Sequence, residues 1–157
     1  MAGRPLWAPW RLRYVQGSRG EGCAFCRAAG DGEQELVVRR GKQTSVILNA
    51  FPYAPGHLLI FPHRHLAEPS DLTAEEQGEL WELLCRSLEA LRKLMSPAGF
   101  NAGLNLGRVA GAGLPAHLHL HLVPRWEGDH NFMPVLAETA VISQALEETA
   151  AALRELI

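Results

Sequence analysis

Three histidines alternate with leucines in His117-Leu118-His119-Leu120-His121-Leu122-Val123. On an extended strand, residues i, i+2 and i+4 share a face, so the spacing lines three imidazoles along one side and sends the leucines into a core. A neutral imidazole nitrogen is a nucleophile for phosphorus, its protonated partner is a donor, and either nitrogen can bind a metal. Each ring also brings two nitrogens that need partners, and neighbouring imidazolium ions repel, so packing alone is a poor reason for the pattern. The plainer readings are a solvated face of an edge strand and a metal-binding patch. Directly upstream, Gly107-Arg108-Val109-Ala110-Gly111-Ala112-Gly113 offers backbone N–H groups that an anion can approach without Cβ obstruction. Glycine-rich loops are mostly turns, but this one runs into the histidines and so sets phosphate donors beside potential nucleophiles.

The elements that must position these groups are legible from periodicity. Leu36–Val38, Ser45–Leu48 and Leu58–Phe61 are short apolar runs separated by Gly41 and by Pro52 and Pro55-Gly56, as in an antiparallel meander. Thr73 and Glu76 form a capping box before a helical stripe of Leu80, Leu84, Leu88 and Leu91, which Ser96-Pro97 ends. Phe100–Leu106 alternates as a strand, the loop Gly107–Pro115 follows, His117–Val123 returns as a strand, and a last helix is expected over about Ile142–Leu156. Strands joined by turns and interrupted by helices predict an α+β fold rather than a parallel array. Residues 1–22, with Trp7-Ala8-Pro9-Trp10-Arg11 and a Gly/Ser-rich run, show no usable period and read as an irregular arm before a single domain over 23–157.

At 157 residues and 47% hydrophobic content the chain has material for one core. A net charge of -2 gives no bulk attraction to duplex nucleic acid. No run approaches a membrane span, and the Arg-rich start lacks an apolar signal segment, so a cytoplasmic protein without a membrane partner is expected. Three cysteines are too few for a disulfide framework. Cys85 falls in the helical stretch, where a lone thiol is usually a small packed residue. Cys23-Ala-Phe-Cys26 is half of a tetrahedral zinc site, a redox pair, or two packed thiols, although no thioredoxin-like βαβ pattern accompanies it.

The His-x-His-x-His-x-x pattern, with x apolar, resembles the signature of the histidine-triad family. Asn49 to Pro62 resembles that family's nucleoside-binding strands and turn, and Asn101–Gly113 its approach to the triad. Trp7–Arg11, Cys23–Cys26 and Pro124–Pro134 are similar to a bacterial branch related to diadenosine tetraphosphate phosphorylases. The resemblance implies an antiparallel sheet of about five strands with two main helices. It also implies a nucleotidyltransferase or hydrolase acting on an adenine nucleotide or dinucleoside polyphosphate, with phosphorolysis ahead of hydrolysis. Cleavage of nucleoside phosphoramidates, or nucleotide binding without turnover, is the alternative.

By the same resemblance His119 is the nucleophile, with His121 and His117 beside it in the catalytic group. Asn49, His57, Asn105, Gly113 and Leu114 join His119 and His121 in holding the nucleotide, Asn49 at the ribose, His57 near the nucleotide phosphate or the triad itself, and the Gly113 and Leu114 amides at phosphate oxygens. Asn49 as a simple turn former and His57 as a semi-buried structural residue are the duller alternatives. Zinc would be held by Cys23, Cys26, His65 and His117, with His63 a less suitable substitute, and the resemblance leaves room for Mg²⁺ with the substrate. Family members commonly form homodimers. The loop Gly111–Ala116 departs from many relatives in lacking a Ser or Thr before the triad, and Pro115 removes a backbone donor. Arg125 either reaches a distal phosphate or pairs with Asp129.

Overall fold

The computed structural model describes residues 22–30, 32, 34–129 and 144–157. The strands are β1 (Val37–Arg40), β2 (Thr44–Leu48), β3 (Leu58–Pro62), β4 (Gly99–Leu104) and β5 (Leu120–Arg125). They form one antiparallel sheet in the order β1-β2-β3-β5-β4. The helices are α1 (Ala24–Ala29), α2 (Ala74–Met95) and α3 (Leu146–Arg154).

Every residue of β3 is buried because both of its faces are covered. Leu58 and Ile60 pack with Val46, Leu48, Leu84 and Leu91 under α2, while Leu59 and Phe61 pack with Val37, Phe25 and Ala28 beneath α1. This two-sided burial explains why β3 reads as a continuous apolar run rather than an alternation. Leu118, Leu120 and Leu122 are all buried, as the period-two pattern requires.

The capping box at the start of α2 is formed. Thr73 Oγ1 accepts the Glu76 N–H at 3.2 Å, and a Glu76 carboxylate oxygen accepts the Thr73 N–H at 2.9 Å. Arg64 reinforces it through Nε at 2.7 Å and Nη2 at 2.6 Å from Glu76, and this ion pair foremost lowers the Glu76 pKa to about 2. Ser96 ends the helix at φ 48°, a left-handed conformation unusual for a residue with a side chain, before Pro97.

Several boundaries differ from the sequence expectation. The first strand runs over Val37–Arg40, because Leu36 lies in the turn before it. The fourth begins at Gly99 and ends at Leu104, and the last helix covers Leu146–Arg154, residues 142 and 143 lying outside the described residues. Paired strand structure in the histidine segment starts at Leu120 and continues to Arg125; before it, the Leu118 N–H bonds to the Leu66 carbonyl instead of a sheet neighbour. Cys85 is exposed on α2 rather than packed. The arm over 1–22 falls, except for Gly22, outside the described residues. Among the described residues no helix is long and apolar enough to cross a membrane.

Candidate active site

The antiparallel pairing of β3 with β5 sets Leu59 opposite His121 and carries the histidine segment inside the sheet, between β3 and the edge strand β4. His119 lies between two rings, Phe25 of α1 at 4.8 Å and His121 at 4.9 Å between centroids. Its Nδ1–H donates to the His117 carbonyl at 2.8 Å. A neutral His119 therefore keeps its lone pair on Nε2, the form required of a nucleophile.

The tautomer of His121 follows from its neighbours. The Tyr53 backbone N–H donates to His57 Nδ1 at 3.1 Å, so a neutral His57 carries its proton on Nε2. That proton is donated to His121 Nδ1 at 2.9 Å, which leaves His121 with its own proton on Nε2. Asn105 Nδ2 lies 3.4 Å from this nitrogen, and with His121 protonated there the contact is a hydrogen bond only when the Asn105 amide is turned to present its oxygen. His121 thus presents a donor and His119 an acceptor. Burial first, then the neighbouring His121 and His119, push the His57 pKa down to about 3, and burial likewise holds His121 below the ordinary histidine range. The His57–His121 pair is built from neutral rings.

His57 is wholly buried, so it meets the triad rather than a ligand. Asn49 takes part in the turn: its Oδ1 accepts the Phe51 N–H at 3.0 Å, and its Nδ2 lies 3.3 Å from His57 Nδ1. The glycine loop makes a 3-10 turn over Arg108–Ala110, with Gly107 at φ 80° and Gly111 at φ 91°. The N–H groups of Ala110, Gly111 and Ala112 are used within that turn. Gly113 and Leu114 are exposed, and among the described residues no acceptor takes their N–H groups. Arg125 is engaged by Asp129, at 2.6 Å from Nε and 2.8 Å from Nη2, and by Asn101, so the pairing alternative describes its position.

Behind His119 lies a second cluster. The ligand atoms of Cys23, Cys26, His65 and His117 all fall within 4.8 Å of one another. Cys23 Sγ is 3.2 Å from His117 Nδ1, Cys26 Sγ is 3.6 Å from the same nitrogen, and Cys26 Sγ is 3.2 Å from His65 Nδ1. Bonds of ~2.0–2.3 Å to a tetrahedral zinc imply donor separations of roughly 3.3–3.8 Å, so the contacts of 3.2 to 3.6 Å already fit, and donors as far apart as 4.8 Å would close by about 1 Å on binding. His117 Nε2–H donates to the Pro62 carbonyl at 2.8 Å, which frees Nδ1 to act as a ligand. Burial, then the adjacent Cys23, push the Cys26 thiol up, a penalty that a bound cation would reverse. His63 instead meets Ser45 Oγ at 2.8 Å, away from the cluster.

Sequence reasoning missed Phe25. Lying between the two cysteines, it packs on Phe61 at 4.7 Å, His117 at 5.3 Å and His119 at 4.8 Å, and so joins the Cys/His cluster to the His119 ring. A buried aromatic between two potential ligands is its only sequence trace.

A HIT domain family model matches residues 32–128, well over half of the chain. This chain belongs to the HIT-domain family. The HIT protein is 39% identical over 154 residues to an AP-4-A phosphorylase of Mycobacterium tuberculosis, an alignment covering 92% of this chain and 79% of the relative. It is 32% identical over 93 residues to an asymmetrical bis(5'-nucleosyl)-tetraphosphatase of Schizosaccharomyces pombe, covering 59% of this chain and 50% of that one. Its fold matches a zinc-bound histidine triad family protein from Mycobacterium smegmatis with a TM-score of 0.67 at 26% identity, covering 85% of this chain and 91% of the other.

Proposed function

We propose that this enzyme transfers a nucleoside monophosphate from a dinucleoside polyphosphate, of the diadenosine tetraphosphate type, through a nucleotidyl intermediate on His119. The observation that carries the reading is the tautomer pair: Nδ1–H of His119 is held by the His117 carbonyl, while His57 holds His121 as an Nε2–H donor. The Nε2 lone pair of His119 attacks the α-phosphorus, the bond from that phosphorus to the bridging oxygen breaks, and the polyphosphate half departs. His121, Asn105 and the N–H groups of Gly113 and Leu114 meet charge on the phosphoryl oxygens. Inorganic phosphate or water then attacks the phosphorus, breaks the phosphorus–nitrogen bond and restores the imidazole. The AP-4-A phosphorylase relationship favours phosphate.

His57 acts through His121, and Asn49 supports the turn from which a ribose would be held. Mg²⁺ belongs to this reading as a companion of the polyphosphate, offsetting its charge. Zinc would be held by Cys23, Cys26, His65 and His117, pinning the start of the histidine segment and the α1 helix; its role is architectural. His117 then serves the metal and, through its carbonyl, the nucleophile. Residues 23–157 act as one domain, and the exposed edge strand β4 favours association of two copies.

Product analysis tests the reaction. Diadenosine tetraphosphate incubated with inorganic phosphate should give ADP plus ATP, whereas water as acceptor gives AMP plus ATP. Absence of both product pairs would refute the substrate class, and AMP plus ATP in the presence of saturating phosphate would refute phosphorolysis.

A further inference from the structure

Beyond His121 the sheet surface forms a groove of about 330 Å³, at the small end of ligand sites, which run from ~300 to 1,000 Å³. Direct pairing of Gly103 with His121 and of Asn101 with Val123 puts these four residues on one face, and Arg125 follows on β5. Tyr53 lines the groove near His121 and stacks on it, the two planes only 9° apart. A Cβ built at Gly103 would meet nothing within 4 Å. Glycine is therefore not demanded there by packing, and its effect is to keep the groove open beside the histidine. Between His121 and Arg125 the strand advances about 13 Å, at ~3.3 Å per residue.

Charge distinguishes the two ends. At the near end the His121 N–H and the Asn105 amide suit phosphate oxygens. At the far end Arg125 is matched by Asp129 and bonded to Asn101 at 2.7 Å, so the guanidinium charge is neutralised locally. Such an end has little surplus attraction for a phosphate, while the exposed Asn101 amide suits an uncharged polar group. We propose that the groove receives the second nucleoside of the dinucleoside polyphosphate, the one that leaves with the polyphosphate, and that Gly103 and Asn101 set this preference. The inference rests on the transfer reaction proposed above.

Binding separates the two ideas. In the His119→Asn protein, which retains the pocket but not the nucleophile, calorimetry should find diadenosine tetraphosphate bound at least about tenfold more tightly than AMP. Adding Gly103→Leu should raise the Kd for diadenosine tetraphosphate about tenfold and that for AMP less than about twofold. Asn101→Ala, a change at an exposed edge position, should act in the same direction and raise KM more than it lowers kcat in the otherwise native enzyme. Equal affinity for the two ligands, equal losses for both, or no loss with either variant would overturn the groove assignment while leaving His119 chemistry intact. Failure to bind either nucleotide would remove the functional reading itself and the groove with it.

Discussion

Because the Tyr53 N–H makes Nδ1 of His57 an acceptor, a proton on both nitrogens of His57 would break that bond as well as charge a buried ring. With a folded pKa of about 3 against the ordinary 6.5, His57 contributes its full stability above pH 6.5. As pH falls from 6.5 towards 3, the unfolded chain takes up a proton that the folded chain refuses, at a limiting cost of about 1.4 kcal/mol per pH unit. Urea unfolding should therefore lose stability between about pH 6 and about pH 4 more steeply in the native protein than in His57→Asn, and parallel profiles would contradict this. The alternation of His117, His119 and His121 was visible in sequence because period two is a property of local backbone. Which nitrogen carries each proton was not, since it depends on Pro62, Tyr53 and the His117 carbonyl, partners that only folding supplies.

At the scale of elements, α2 is tied to the sheet through Glu79. Its carboxylate accepts the N–H groups of Lys42, Gln43 and Thr44 at 2.6, 2.7 and 2.8 Å and the Thr44 hydroxyl at 2.9 Å, closing the turn between β1 and β2. Burial opposes ionisation of Glu79, but these donors outweigh it and hold the pKa below the usual value. Glu79→Ala should cost about 2 kcal/mol in denaturant unfolding, as charged hydrogen bonds do, while Thr73→Ala should cost ~1 kcal/mol through the lost cap. The capping box was readable because its partners are three residues apart. Glu79 was not, because its donors lie 35 to 37 residues away. The short helix α1 escaped for a similar reason: six residues carry little periodic signal, and Phe25 and Ala28 are buried by β2 and β3, not by a helical stripe visible in isolation.

Over the whole molecule, two centres share one segment of chain: the cluster containing His117 and the ring of His119 two residues on, bridged by Phe25. If zinc fills the cluster, purified protein should carry about one zinc per chain, and chelation or Cys23→Ser should lower the Tm. Metal-free protein with unchanged melting would contradict that assignment. The α+β class and the sheet histidines were legible from short-range pattern, whereas the grouping of His65 with Cys26 came only through the family resemblance and the Arg125–Asp129 pair stood as one of two alternatives, because both contacts depend on how distant segments and the loop after β5 fold together. The central claim is covalent: a nucleotide is transferred to Nε2 of His119. Alkaline quenching during turnover of diadenosine tetraphosphate, followed by peptide mass spectrometry, tests it most directly. The expected result is one AMP attached to His119 and none in His119→Asn, with turnover in that variant reduced by at least about 10³-fold. AMP attached to another residue, or turnover retained in His119→Asn, would contradict it.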